Sequence, residues 1–358
     1  MKRIKLAKPL IGRAERKAVI KVLKSGNLAQ GPEVQNFELE FSRFVEERIC
    51  VAVNSGTSGL HLALLSLGIG PGDEVILPSF TFAATANAIS LTGATPIFID
   101  IEPATYNLNE NLIENAISRR TKAIMVVHLY GLAANMPAIS NIAKKHNLLV
   151  IEDAAQAHLA EIDGKPVGTF GDAAVFSFYP TKNMTSGEGG MIVLNNSEAA
   201  NYCRKQRNQG MEVRYKNELI GYNLRMSDIH AAIGRQQLQK LQKWTDKRIE
   251  IANTYSEKLR YFTTPLTPSG YKHVFHQYTI RVERNREHVM SGLEQSKIDC
   301  GVYYPIEVHK LPSYNCSFEL KESNMATKEV LSIPVHPALT KREVSRVIEA
   351  LHQIYESQ

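Results

Sequence analysis

Short apolar runs recur through residues 50–195, separated by longer stretches in which apolar positions fall three and four apart. A run of four to seven β-branched or apolar residues has the length of a strand buried on both faces. An apolar period near 3.6 residues is that of an amphipathic helix. The runs at 50–53, 74–77, 96–101, 123–128, 148–152, 173–178 and 191–194 therefore read as strands, with helices at 58–67, 83–91, 109–117 and 137–145 between several of them. This alternation predicts an α/β fold on a seven-stranded, mostly parallel sheet.

The pattern changes after Leu224. A long helical stretch runs from 227 to about 259, with Ser227 or Asp228 placed to cap its start. Strand-like segments at 276–282 and 301–304 enclose a helix-like segment at 287–297, and a terminal helix at 341–355 follows Pro334 and Pro337. A single core rarely grows beyond roughly 250–300 residues. The 358-residue chain is accordingly divided into a large domain, 1–240, and a smaller C-terminal α+β domain, 241–358. No internal repeat, low-complexity tract or charged tail interrupts this organisation.

Composition narrows the class of protein. With 44% hydrophobic and 22% charged residues the chain is an ordinary globular sequence, neither disordered nor collagen-like. The net charge of +6 is not concentrated, and the basic run at 240–248 is broken by Trp244 and Asp246 in the manner of a solvated helix face. A nucleic-acid partner is not expected. Cys50, Cys203, Cys300 and Cys316 have neither zinc-site spacing nor the density of a disulfide framework, so no metal and a reducing cytoplasm are expected. The first ten residues, MKRIKLAKPL, lack an apolar stretch long enough for a signal, and runs such as 123–127 are far short of a bilayer span. Neither secretion nor a membrane partner is expected.

Three segments carry candidate chemistry. In the first, an apolar strand runs into Asn54-Ser55-Gly56-Thr57-Ser58-Gly59 and then a helix. Free amides at a helix start, a backbone opened by Gly56 and the hydroxyls of Thr57 and Ser58 suit a phosphate, although the same residues also serve simply as a helix cap. In the second, the strand 148–152 ends in Glu152-Asp153, followed by Gln156 and His158. An acid at a strand's carboxyl end can meet magnesium, a ribose hydroxyl or a protonated ring nitrogen, or can cap the next helix. His158 reads as a structural partner rather than a base.

The third segment is Phe176-Ser177-Phe178-Tyr179-Pro180-Thr181-Lys182, returning through Gly187-Glu188-Gly189-Gly190. A chain that doubles back this closely puts the amine of Lys182 inside a cleft, where desolvation makes it a nucleophile toward a carbonyl. A phosphate cradle, an acid for a ring nitrogen and a Schiff-base lysine together form the set that pyridoxal phosphate requires.

The stretches AQGPEVQNFE, NSGTSGLHLAL, GPGDEVILPSFTFAAT, EDAAQAH, FSFYPTKNMTSGEGG, GYNLRMSDIHAAIG and VYYPIEVHKLP, spread over essentially the whole chain, resemble the DegT/StrS-type sugar aminotransferases. The resemblance implies a fold-type-I aminotransferase with pyridoxal 5'-phosphate joined to Lys182 and its ring nitrogen paired with Asp153. It also implies Gln156 against the ring near its hydroxyl, Phe82 stacked on the other face, and Gly56, Thr57 and Ser177 around the phosphate, to which the helix-start reading adds Ser58. Asn223 is expected to reach the phosphate of a neighbouring subunit, which makes the protein a homodimer with shared sites. Asn27 and the residues to Pro32, Tyr304 and His309 are expected contacts of a nucleotide-linked sugar.

Two stretches depart from the family pattern: Arg207-Asn208-Gln209-Gly210 stands where many relatives read RNHG, and Arg214-Tyr215-Lys216-Asn217 where many read RYKH. A branch of the family that removes a hydroxyl carries histidine at the lysine position, so Lys182 argues for transamination. The resemblance implies glutamate as amino donor and, as acceptor, a hexose ketone at carbon 3 or 4 linked to UDP, dTDP or GDP. A cyclic non-sugar ketone is the alternative acceptor. A cofactor-binding regulator that contacts DNA is a further reading, which a helix-turn-helix or a basic stripe would support, and neither is visible in the sequence.

Overall fold

The computed structural model describes residues 2–357. Its centre is a seven-stranded sheet formed by β1 (Ile49–Val53), β2 (Glu74–Pro78), β3 (Thr95–Ile99), β4 (Thr121–Val127), β5 (Leu149–Asp153), β6 (Ala173–Ser177) and β7 (Gly190–Leu194). The spatial order is β1-β7-β6-β5-β4-β2-β3. β7 runs antiparallel to both of its neighbours, and the remaining pairs are parallel. The strands are apolar nearly throughout because helices cover both faces of the sheet.

Helices Pro32–Ser42, Met136–His146 and Asp228–Leu238 contribute Phe37, Ile139 and Ala231 to the core on one face. Helices Gly56–Ser66, Ala83–Leu91 and Ser197–Gln206 contribute Leu62, Ile89 and Cys203 on the other. The pairing register brings Val127, Asp153 and Val175 level, and sets Ser177 and Val53 beside Gly190. The carboxyl ends of β1, β4, β5 and β6 therefore open at one edge of the sheet, where parallel α/β sheets place their ligands.

A separate core gathers Ile251, Tyr255, Tyr278, Val289, Leu331, Val347 and Leu351 around the antiparallel pair β8 (Tyr278–Arg281) and β9 (Val330–Ile333). Helices Leu241–Lys258, Arg286–Gln295 and Lys341–Glu356 pack on it. Ile4 joins this core through a bridge to Ile298, so the N-terminal segment lies with the C-terminal elements.

All seven sheet strands occur where the apolar runs predict them. Three expectations are corrected. The long helix read at 227–259 is two helices, Asp228–Leu238 and Leu241–Lys258, parted at Gln239–Lys240. Residues 109–117 form a 3-10 turn, Glu110–Leu112, and one short helical turn, Ile113–Ala116. At 301–304 only an isolated bridge from Gly301 to Ser332 forms, because the tyrosines that follow turn toward the open edge of the sheet.

Candidate active site

At the carboxyl edge of the sheet lies a cavity of about 560 Å³. Its walls include Ser55, Gly56, Thr57, Phe82, Asp153, Gln156, Ser177, Lys182 and Tyr304, residues far apart in the chain that the register of β1, β5 and β6 brings together.

The first wall is a helix start. Ser55 caps helix Gly56–Ser66, its hydroxyl accepting the Ser58 amide at 3.1 Å, so that the first-turn amides face the cavity mouth. Gly56 is required by close packing: a Cβ there would sit 2.9 Å from the Cβ of Ser177. Ser58 does not join this wall. Its hydroxyl lies 2.9 Å from that of Ser55, within the cap, which corrects the expectation that it faces the phosphate.

The second wall carries the lysine. After β6 the chain leaves and returns as a closed loop, with the Phe178 amide donating to Gly189 at 2.9 Å and the Ser186 amide to Phe178 at 3.0 Å. Gly189 has φ +152 and packs against Met226, leaving no room for a side chain. The loop holds Lys182 partly buried, its open side being the cavity. Burial lowers the ammonium from 10.5 to about 8, and the charge of Asp153 opposes that shift. Near neutral pH about a tenth of the amine is then free, far more than for a solvated lysine.

Asp153 closes the floor at the end of β5. Burial raises its carboxyl above the usual range, while hydrogen bonds from the Thr85 hydroxyl and the Ala155 amide, and the charge of Lys182, pull the other way. The Thr85 hydroxyl donates to Oδ2 at 2.7 Å and the Ala155 amide to Oδ1 at 3.2 Å.

Gln156 is fixed at both ends: its Oε1 accepts the Tyr130 amide at 2.7 Å and its Nε2 donates to the Tyr304 hydroxyl at 3.1 Å. Phe82 is 59% exposed at the cavity mouth, an unusual position for a phenylalanine that packing alone does not explain, with its ring 5.9 Å from that of Tyr304.

Other sequence expectations fall outside the cavity. His309 is fully buried: its Nδ1 lies 2.6 Å from the Ser79 hydroxyl, its Nε2 3.0 Å from the Phe318 carbonyl, and its ring stacks on Phe318. Both nitrogens are committed to the protein, so His309 is a packed loop residue and not a sugar contact. Asn27 is exposed and does not line the cavity, although its amide meets the Ser25 hydroxyl at 3.2 Å. Asn223 is exposed and bridged to Asn208, outside this chain's cavity. His158 is wedged between Phe176 and Phe178 and does not line the cavity.

Several lining residues were not singled out from sequence, among them Thr81, Thr181, Glu188, His276 and Gln277. Thr81 sat inside a quoted motif and had a signal. His276 and Gln277, from the segment leading into β8, had none.

These features match known proteins over nearly the whole length. The family model described as the DegT/DnrJ/EryC1/StrS aminotransferase family matches residues 9–352. The pleiotropic regulatory protein of Geobacillus stearothermophilus is 40% identical over 344 residues, covering 93% of this chain and 92% of the relative. The GDP-perosamine synthase of Caulobacter vibrioides is 38% identical over 364 residues, 98% of each chain. The crystal structure of Streptomyces venezuelae DesV, in complex with a ketimine intermediate, superposes with a TM-score of 0.92 at 39% identity, covering 95% of this chain and 93% of that one. The chain therefore belongs to the DegT/DnrJ/EryC1/StrS aminotransferase family and is a pyridoxal-phosphate-dependent aminotransferase.

Proposed function

We propose that this enzyme moves an amino group from glutamate to a keto-hexose carried on a nucleoside diphosphate, aminating carbon 3 or 4 in the synthesis of an amino sugar. The observation that carries the reading is the convergence of Lys182, Asp153 and the Gly56–Thr57 helix start on one cavity of about 560 Å³. The GDP-perosamine synthase at 38% identity over 98% of the chain supports the sugar-nucleotide class.

The residues present fit the cofactor. The amides of Gly56 and Thr57 with the hydroxyl of Ser177 suit a phosphate dianion, and the closeness of Gly56 to Ser177 brings the two donors to one spot. Asp153 would offer a carboxylate to the ring nitrogen, and Gln156 would lie on the side of the ring hydroxyl. Phe82, exposed at the mouth, would cover one ring face. Bound pyridoxal phosphate supplies an aldehyde that receives the amine and a protonated ring that acts as an electron sink.

The chain's own residues then hold and move protons. Lys182 Nζ, with its lowered proton affinity, takes the proton from the donor's α-carbon and returns one to the sugar carbon. Asp153 stays ionised to keep the ring nitrogen protonated. Tyr304, fixed by Gln156, borders the space left for the sugar.

Among the described residues Lys182 is the only lysine or arginine on the cavity wall, whereas Asp153 and Glu188 are both acidic. A diphosphate and a dicarboxylate need more positive charge than one chain offers. The exposed 212–220 segment, with Tyr215 and Ile220 among the most exposed apolar residues and Arg214 and Lys216 beside them, suits a homodimer in which Asn223 and neighbouring cations complete the partner's site. We place the domain boundary at the helix break near Lys240. Among the described residues no helix is long and apolar enough to cross a membrane, and all four cysteines are free thiols, which supports a cytoplasmic location.

The test is spectroscopic. The cofactor-loaded protein is expected to show a visible band that glutamate removes and one member of a panel of nucleotide-linked 3-keto or 4-keto hexoses restores. A protein that binds no cofactor when supplied with it, or a band indifferent to every amino donor, would refute the reading.

A further inference from the structure

The cavity floor contains a directional chain of hydroxyls. Thr85, fully buried in helix Ala83–Leu91, donates its hydroxyl proton to Asp153 Oδ2 at 2.7 Å. A hydroxyl has one proton to give. That proton is committed to the carboxylate, so in the 3.1 Å contact between the Thr81 and Thr85 hydroxyls the donor is Thr81. The order Thr81 to Thr85 to Asp153 follows, beginning at a residue that lines the cavity.

The other side of the carboxylate is disposed differently. Among the described residues Oδ1 accepts only the Ala155 amide, at 3.2 Å, and Asp153 lines the cavity. We infer that Thr85, with Thr81 behind it, is a positioning residue for Asp153: it pins Oδ2, leaves Oδ1 for the cofactor's ring nitrogen and keeps the carboxylate from taking the ring's proton.

The inference rests on the cofactor reading above. Its physical basis is that a donor to a carboxylate stabilises the charged form. Burial works against that charge at Asp153, and the Thr85 hydroxyl is the largest influence opposing burial. The titratable groups that face the carboxyl are Lys182 from the loop after β6, His128 from the end of β4 and Tyr304. Lys182 will be occupied by the cofactor, and His128 donates through Nε2 to Glu152, 3.0 Å away. Thr85 remains the neutral donor that stays with Asp153 throughout the reaction.

The test uses the cofactor-loaded enzyme. Thr85→Val keeps the shape and removes the proton. It is expected to move the acid limb of the glutamate half-reaction up by about one pH unit, a tenfold change in the carboxylate's proton affinity. The dissociation constant for pyridoxal phosphate should rise several-fold, with little change in the KM for glutamate. Thr85→Ser, which retains the hydroxyl, should restore both. Should Thr85→Val fail to fold, Thr81→Val carries the same test with a smaller shift in the same direction. An acid limb and a cofactor affinity unmoved in the variant that folds, or a Thr85→Ser as shifted as Thr85→Val, would overturn the inference. A wild-type protein with no visible band would instead overturn the aminotransferase reading itself, so the two failures are separable.

Discussion

The two faces of β5 end in adjacent carboxylates that the fold treats in opposite ways. Glu152 points into the protein and is saturated with donors: the Gly168 amide at 2.8 Å, Phe170 at 2.9 Å, Gly171 at 2.7 Å and His128 Nε2 at 3.0 Å. His128 Nδ1 accepts the Ala134 amide, so the ring is held as the tautomer that donates to Glu152. Burial pushes the Glu152 carboxyl up, yet these donors outweigh it and the net shift is downward. Asp153 faces the cavity with two donors and a net upward shift, burial prevailing. Burial alone therefore does not mark the functional acid. The mark is unfilled capacity on the side that meets a ligand.

The sharpest way to break this comparison is to remove the groups on the cavity side. Lys182→Ala is expected to slow the glutamate half-reaction by roughly 10²–10⁴-fold, the usual contribution of a positioned acid–base group, as read by stopped-flow absorbance. Asp153→Asn keeps size but loses the charge on the ring nitrogen, with an expected loss of about 10²–10³-fold in the same assay. Both variants should melt close to wild type, since neither site is saturated.

Glu152→Gln should give the reverse profile. It leaves buried amides without a full acceptor set and is expected to cost about 2–3 kcal/mol of stability in denaturant unfolding, with activity per folded molecule largely kept. Its pH dependence has a definite sign. A carboxyl with a depressed folded pKa stabilises above the ordinary value of 4.5, and that contribution is lost as pH falls through the folded value. Acid unfolding of the wild type should therefore steepen below pH 4.5 and flatten in Glu152→Gln.

The smallest effect concerns the empty enzyme. Since burial lowers the Lys182 ammonium from 10.5 to about 8, the rate at which apoenzyme takes up pyridoxal phosphate should rise with a midpoint near pH 8, followed by growth of the visible band. A midpoint near 10 would show that the lysine is solvated and the desolvation account of its reactivity is wrong.

The comparison also shows what could be read beforehand. Both acids were visible at a strand end, but nothing in Glu152-Asp153 says which one faces a ligand, since strand neighbours always point to opposite faces. The motif resemblance, not the pattern, singled out Asp153. The seven strands were legible because each is a short apolar run, largely buried on both faces except in the first part of the edge strand β3. Helices Arg13–Ser25 and Pro32–Ser42 went unread, and the second is capped by Asp228, nearly two hundred residues away, whose Oδ1 accepts the Gly31 and Val34 amides. His309, in a motif of the family, was expected at the sugar and instead serves packing between Ser79 and Phe318.

By itself the sequence determined the local geometry: the runs that must be strands, the Gly56 and Gly189 positions where the backbone approaches too closely for a side chain, and the residue types able to hold a phosphate, a ring and an aldehyde. The tertiary structure decided which of those residues share a cavity, which carboxylate is saturated and which is left open, and that the Thr85 hydroxyl stands behind Asp153. The reason is physical. Strand and helix periods follow from neighbours a few positions apart. The burial and hydrogen-bond partners that set the charge of Asp153 and Lys182 come from chain segments many tens of residues away, brought together only when the sheet forms.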